Sequence, residues 1–269
     1  MQDSTLQLQD TRRAFDSVAA DYDGPRGNNA LVQRMRRTLW DVVSREVAPG
    51  SRLLDLGCGT GIDALHFAQI GHRVVATDWS PRMVARTRAR ATGASPPAPV
   101  QVLHLGIQQL DQLEGRFDGI YSNLGPMNCV PDLGEAARHC ARLLVPGGVL
   151  VFSVMGRICP WELAHYTLRG RLRRALVRAA RGATPVGMNR HMIWTRYYLP
   201  REFHRPFAAR FTLESQRALS LFMPPPYLVD FHQRRQRWCD LLGRLDDRLG
   251  AWPLLRAMGD HFLMVMRRR

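Results

Sequence analysis

Leu54-Asp-Leu-Gly-Cys-Gly-Thr-Gly61 is the stretch on which the fold of this chain turns. Residues 52–56 form a short apolar run of strand length that ends in glycines at alternate positions, Gly57, Gly59 and Gly61. Such glycines let the backbone turn sharply and come close to a ligand. The helix expected next carries Ala64, Leu65, Phe67, Ala68 and Ile70, and its first turn offers unpaired N–H groups and a partial positive charge. Open α/β sheets bind ligands at such strand ends, where the strand order reverses.

The spacing narrows the ligand. A dinucleotide fingerprint needs G-x-G-x-x-G, but Gly61 comes one residue early and Ile62 stands at the dinucleotide position. No G-K-[ST] follows, which excludes a phosphate-binding P-loop. Asp55, just before the first glycine, disfavours a pyrophosphate and tolerates a cationic ammonium or sulfonium.

Outward from this stretch, strands and helices alternate. Strands are expected at 72–77, 100–105, 117–122 and 149–155. Ser80 and Pro81 are suited to open one helix, and Asp132 with Glu135 another. The alternation predicts a mainly parallel sheet covered on both faces. Helices are also expected over 4–22, 29–47, 200–209 and 227–249, with strands at 211–222 and 261–267. Residues 156–198 hold an Arg-rich helix and the aromatic stretch Ile193-Trp-Thr-Arg-Tyr-Tyr198.

Taken together, Asp55-Leu-Gly-Cys-Gly-Thr-Gly61, Val74-Val-Ala-Thr-Asp78-Trp-Ser-Pro-Arg-Met83, Phe117-Asp-Gly-Ile-Tyr-Ser-Asn123, Pro146-Gly-Gly-Val-Leu-Val151 and the N-terminal Phe15-Asp-Ser-Val-Ala-Ala-Asp-Tyr-Asp23 resemble a class I S-adenosylmethionine-dependent methyltransferase of the small-molecule type. The resemblance implies a Rossmann-like α/β fold: a doubly wound, mainly parallel seven-stranded sheet with helices on both faces, an antiparallel last strand and a lid insertion after strand five. It divides the chain into an N-terminal helical arm covering the cofactor site (1–48), a cofactor-binding core (49–155), a lid or substrate insertion (156–198) and a C-terminal completion of the sheet (199–269).

The same resemblance implies S-adenosyl-L-methionine as cofactor and assigns positions to it. Gly57, Gly59 and Gly61 border its methionine part, and Asp55 orients the loop or meets the ammonium. Asp78 accepts bonds from both ribose hydroxyls, while Trp79 and Met83 flank the adenine. Many relatives carry an acidic residue after the third strand; Leu105-Gly-Ile-Gln108 has none, leaving Ile107 and the Gln108 amide, or the backbone, at the adenine. Asn123 and Leu124 lie where methionine and acceptor meet, and Tyr22 helps to close the pocket.

Composition bounds the rest. The 269 residues are 45% hydrophobic and 23% charged, ordinary for a globular protein. All 38 basic residues are Arg, and the net charge is +15. The arginines are mostly dispersed, which argues against a nucleic-acid partner; the densest group, Arg169 to Arg181, reads as a solvated helix face or an anion-binding surface. No apolar run is long enough to span a membrane, and the first residues do not read as a signal peptide. Five Cys without a C-x-x-C pair argue against a disulfide framework and a thiolate zinc site; no metal is expected, and a reducing cytoplasm is the expected setting.

Methyl transfer from a sulfonium needs a base only where the acceptor keeps its proton at neutral pH. The candidate catalytic residues are His165, His191 and Tyr197, all in the 156–198 insertion. Asn128, Trp161, Trp194 and Tyr198 are candidates for an apolar acceptor pocket, and packing accounts for part of that set. The expected activity is methylation of an O, N or C atom of a small, partly apolar or aromatic molecule, in biosynthesis or secondary metabolism, by a monomer or homodimer. The alternative is RNA or a carrier-protein-bound substrate held by the Arg-rich surface.

Overall fold

Seven strands form one sheet, and alternate residues along each strand feed two separate cores. The computed structural model describes residues 2–269; Met1, where the expected arm begins, lies outside the described residues. In chain order the elements are α1 (Gln2–Val18), α2 (Ala30–Glu46), β1 (Arg52–Leu56), α3 (Ile62–Gln69), β2 (Arg73–Asp78), α4 (Pro81–Ala94), β3 (Val100–His104), β4 (Phe117–Ser122), α5 (Leu133–Leu143) and β5 (Leu144–Met155). There follow α6 (Pro160–Thr167), α7 (Leu172–Ala175), β6 (Thr184–Met188), β7 (His191–Thr195), α8 (Pro200–His204), β8 (Phe211–Leu219), α9 (Val229–Arg234), α10 (Gln236–Leu249) and β9 (His261–Arg268).

The strand order is β3-β2-β1-β4-β5-β9-β8. β1 pairs in parallel with both β2 and β4, so the chain winds outward in one direction and then in the other, and the reversal falls between β1 and β4. β9 runs antiparallel to β5 and to β8. This is the expected doubly wound sheet with its antiparallel last strand.

Strand alternation sets the two cores. Leu54, Leu56, Ile120, Leu150 and Phe152 face α5 and the phenylalanines Phe203 and Phe207. Leu53, Val74, Ala76, Tyr121 and Val151 face α2 and α3. The two helices of the first 48 residues pack in different places. α2, capped by Asn29 Oδ1 on the Leu31 and Val32 amides, belongs to the second core, whereas α1 packs against β7 and α4.

The segment after β5 differs in detail from its expected form. In place of one Arg-rich helix there are the short helices α6 and α7, followed by an antiparallel β6–β7 hairpin in which Val186 faces Ile193. The hairpin turns at Asn189 and Arg190, both at positive φ (44° and 65°), the conformation a two-residue hairpin turn demands.

Candidate functional site

A cavity of about 350 Å³ opens where the strand order reverses. The Gly57-Cys-Gly-Thr60 turn and the end of β2 form one wall, and Asn123, Leu124 and Gly125 after β4 form another. α1 contributes Leu8, Thr11, Arg12 and Phe15. The hairpin and its exit contribute Ile193, Thr195 and Tyr197.

The glycine turn is shaped by its neighbours. A Cβ on Gly57 would lie 2.4 Å from Pro126 Cβ, so only glycine lets the β4 loop close over β1. Gly61 has φ 81° and opens α3; a Cβ there would meet Thr87 Cγ2 of α4 at 2.6 Å. Gly61 thus serves helix packing and does not border the cavity, whereas Gly57 and Gly59 do.

Asp78 joins the turn to the second strand. Its Oδ2 accepts the Gly59 N–H at 2.9 Å and its Oδ1 accepts the Ser80 N–H at 2.8 Å. Burial pushes this carboxyl up to about 6, against the lowering effect of those two amides. Ser80 Oγ in turn accepts the Met83 N–H at 3.1 Å and opens α4 as the sequence implies.

Of the two roles expected of Asp55, orienting the loop and meeting the ammonium, its position bears on the second. It is 2% exposed, shares its strand face with Leu53 and does not line the cavity. Burial, followed by the charge of Asp63, pushes it well above the usual carboxylate range. Besides Asp78, the carboxylate that reaches the cavity is Asp63, in the first turn of α3. It accepts bonds from Arg36 at 2.5 Å, Trp40 Nε1 at 2.7 Å and Asn123 Nδ2 at 3.2 Å. Sequence reasoning passed over Asp63 and Arg36. An acidic residue two positions after Gly61, at a helix start, was a signal; the pairing with Arg36 across 27 residues had none.

Tyr22, Trp79, Met83, Ile107, Gln108, Asn123 and Leu124 all line the cavity. Trp79 Nε1, Gln108 Nε2 and Asn123 Oδ1 are buried without a partner among the described residues. Buried polar atoms left unpaired are costly, and a bound polar ligand would satisfy them. Together with Asp78 they form a donor and acceptor set that fits an adenosine carrying an amino acid.

The candidates from the insertion divide by strand alternation. Ile193, Thr195 and Tyr197 face the cavity; Trp194 and Tyr198 face away. Trp194 anchors the hairpin to α1, its N–H meeting Thr11 Oγ1 at 3.1 Å and its Nε1 meeting Asp10 at 3.2 Å. Tyr198 packs edge-on to Phe203 in the core. Trp161 donates to the Phe222 carbonyl and sits against Phe231, also outside the cavity. Asn128 bonds the Met155 and Arg196 carbonyls at 3.1 and 2.7 Å and accepts the Met155 N–H, so it clips β5 to the exit of β7 and leaves the cavity to others.

Neither histidine candidate reaches the cavity. His165 is on α6 with its Nδ1 2.8 Å from Arg169, and burial together with Arg169 and Arg171 pushes it down. His191 is exposed at the far end of the hairpin. The titratable cavity residues Tyr22 and Tyr197 are pushed up by burial, and Cys129 is pushed up to about 12. Cys159, Glu162 and Asp260 bring possible metal-ligand atoms within 4.8 Å of one another. Arg178 fills that group, bonding Glu162 at 2.7 Å and Asp260 at 2.6 Å.

With this geometry, residues 53–148 match the methyltransferase domain family. Over those residues the chain is similar to methyltransferase domains, and its fold is that of solved S-adenosylmethionine-dependent methyltransferases. It is 33% identical over 137 residues to the ubiquinone biosynthesis O-methyltransferase of Xanthomonas campestris pv. campestris, a match covering 51% of this chain and 56% of that protein. The chain thus spans little more than half the length of the curated relatives it matches. Among solved structures, an S-adenosylmethionine-dependent methyltransferase from Clostridium acetobutylicum shares the fold at a TM-score of 0.60 and 11% identity, covering 94% of this chain and 98% of that one. The 1,6-didemethyltoxoflavin-N1-methyltransferase of Burkholderia thailandensis does so at 0.57 and 19%, covering 97% and 88%.

Proposed function

We propose that this chain transfers a methyl group from S-adenosylmethionine to an oxygen of a small, partly apolar molecule. The observation that carries the reading is one cavity with two kinds of wall. Asp78, Trp79, Gln108 and Asn123 present polar atoms suited to the cofactor, while Leu124, Met155, Ile193 and Tyr197 leave an apolar chamber beside it. The choice of oxygen rests on the relatives named as O-methyltransferases. The apolar lining favours a small molecule over RNA or a carrier protein, either of which would call for a basic groove.

When bound, the cofactor supplies an electrophilic methyl group on a sulfonium. The chain's own residues position the partners. Asp78 would accept from the ribose, Trp79 and Met83 would hold the adenine, and Asn123, fixed by Asp63 and Arg36, would meet the amino-acid end. Holding acceptor and methyl group in line supplies much of the catalysis. Tyr197 stays protonated near neutral pH and can donate its O–H to the acceptor. Because burial keeps Tyr22, Tyr197 and Cys129 protonated, the favoured acceptor is an acidic hydroxyl, such as a phenol, that gives its proton to solvent before the chamber closes over it. The hairpin and α1 act as a lid that excludes water from this chamber.

The test is incubation with methyl-labelled cofactor and a panel of phenols, catechols, amines and carboxylic acids, with products identified by mass spectrometry. Label in an aryl methyl ether is expected. Label on nitrogen or carbon alone, or on no small molecule while the cofactor binds, would overturn the reading.

A further inference from the structure

The α6–α7 segment and the helices beside it carry a surface that the cavity does not explain. Leu168, Leu172 and Leu176 stand four residues apart and are 87%, 59% and 60% exposed. Trp161 meets Phe231 edge-on at 5.4 Å, which joins α6 to α9, and Phe231 and Trp238 are themselves 39% and 60% exposed. Large apolar side chains gathered at a surface mark an interaction site. Between residues 163 and 200 the chain has eight arginines and no acidic residue. Arg169, Arg171, Arg173 and Arg174 are exposed and alternate with the leucines. The positive potential is felt locally: Arg169 and Arg171 both add to the effect of burial in pushing His165 down.

We propose that this face docks the protein on an anionic lipid bilayer, with the leucines and Trp238 in the acyl boundary and the arginines on the lipid phosphates. Among the described residues no helix is long and apolar enough to cross a membrane, so the contact lies in the interface plane. Charge complementarity selects this occupant. A second copy docked by a two-fold axis would set the same arginines against one another, at a cost in like-charge repulsion. A nucleic acid would satisfy the arginines but leave the aliphatic heads of Leu168, Leu172 and Leu176 in water, since bases stack on aromatic rings and not on leucine. A bilayer satisfies both, because arginine stems lie along apolar surface while their heads stay at the phosphates. The hairpin that lines the cavity follows directly on this segment, which puts the docking face and the acceptor chamber on one continuous stretch of chain.

The test is co-sedimentation of the full chain with vesicles of phosphatidylcholine alone and of phosphatidylcholine mixed with phosphatidylglycerol. Two variants accompany the wild type: L168S/L172S/L176S and R169Q/R171Q/R173Q/R174Q. All of these positions lie outside the cavity, so unchanged binding of S-adenosylhomocysteine in both variants reports intact folding. Wild type is expected to bind the anionic vesicles and not the neutral ones, and each variant to bind them at least about tenfold more weakly. High salt should abolish the residual binding of the leucine variant and only weaken that of the wild type. Three results would overturn the proposal: no vesicle binding by wild type, binding by either folded variant equal to wild type, or arginine-dependent binding to RNA without binding to vesicles. Self-association in solution that the leucine variant abolishes, with vesicles left unbound, would assign the face to a second copy instead.

Discussion

Gly59 donates its backbone N–H to Asp78 Oδ2 at 2.9 Å, so the turn after β1 and the carboxylate ending β2 form one rigid unit. Ser80 holds the other oxygen at 2.8 Å. Each oxygen keeps a lone pair for a ligand, which is how a single side chain can order the turn and also bind a pair of hydroxyls.

A pH dependence follows from that unit. The buried carboxyl titrates at about 6. Its ionised form is the stronger acceptor, so cofactor affinity is expected to rise as pH climbs through about 6 and then level off. Protein stability without cofactor has the opposite sign. A carboxyl raised by burial contributes stability that is present below its unfolded value and lost as pH rises through its folded one. Replacing Asp78 with Asn should flatten the melting temperature between those limits. Parallel pH profiles of melting temperature for wild type and Asp78→Asn test this, and identical profiles would contradict it.

Arg178 ties the insertion to the sheet. It bonds Glu162, Asp260 Oδ1 and the Gly156 carbonyl, all buried. Burial opposes ionisation of Asp260, but Arg178 and His261 outweigh it and hold that carboxyl below the usual range. Its contribution to stability is therefore present above the unfolded carboxylate range and is lost as pH falls through the depressed value. Arg178→Leu strands two buried carboxylates and should cost about 3–5 kcal/mol in urea unfolding at neutral pH. Restoring neutrality with Glu162→Gln in the same chain should recover part of that loss; a single variant as stable as wild type would refute the assignment.

The hairpin's hold on α1 is testable at Trp194. Trp194→Phe keeps the ring but removes the bond to Asp10, an interaction of about 1.5–3 kcal/mol when one partner is charged. Amide exchange in α1 should quicken and turnover should fall, while the melting temperature should drop by several degrees at most because the side chain is only half-buried. Unchanged exchange and turnover would show that the hairpin is no lid.

Arg178 also bears on metals. A cation already occupies the space between Glu162 and Asp260, which disfavours a divalent ion there. Turnover is expected to withstand EDTA; a loss restored by magnesium would contradict this.

The core was legible because its signals are local. Alternate glycines after an apolar strand, Ser80 before Pro81, and Asp132 before α5 each act within a few residues. The β6–β7 hairpin was not legible. Pro185 and Gly187 are poor strand formers, and Arg190 stands at a positive-φ turn position where glycine is the usual sign. Without the hairpin, nothing told Trp194 from Tyr197, although strand alternation sends one to α1 and the other to the cavity. Asp55 and Asp63 show the same limit: which of them reaches the cavity depends on the face of β1 and on Arg36, a partner set by the fold.

Calorimetric titration of S-adenosylhomocysteine into wild type and Asp78→Ala at neutral pH tests the proposed site most directly. Saturable binding by wild type is expected, weakened in the folded variant by about 1.5–3 kcal/mol, the range for hydrogen bonds to a charged group. Equal affinity in the two proteins, or no binding by wild type, would contradict the assignment of this cavity to the cofactor.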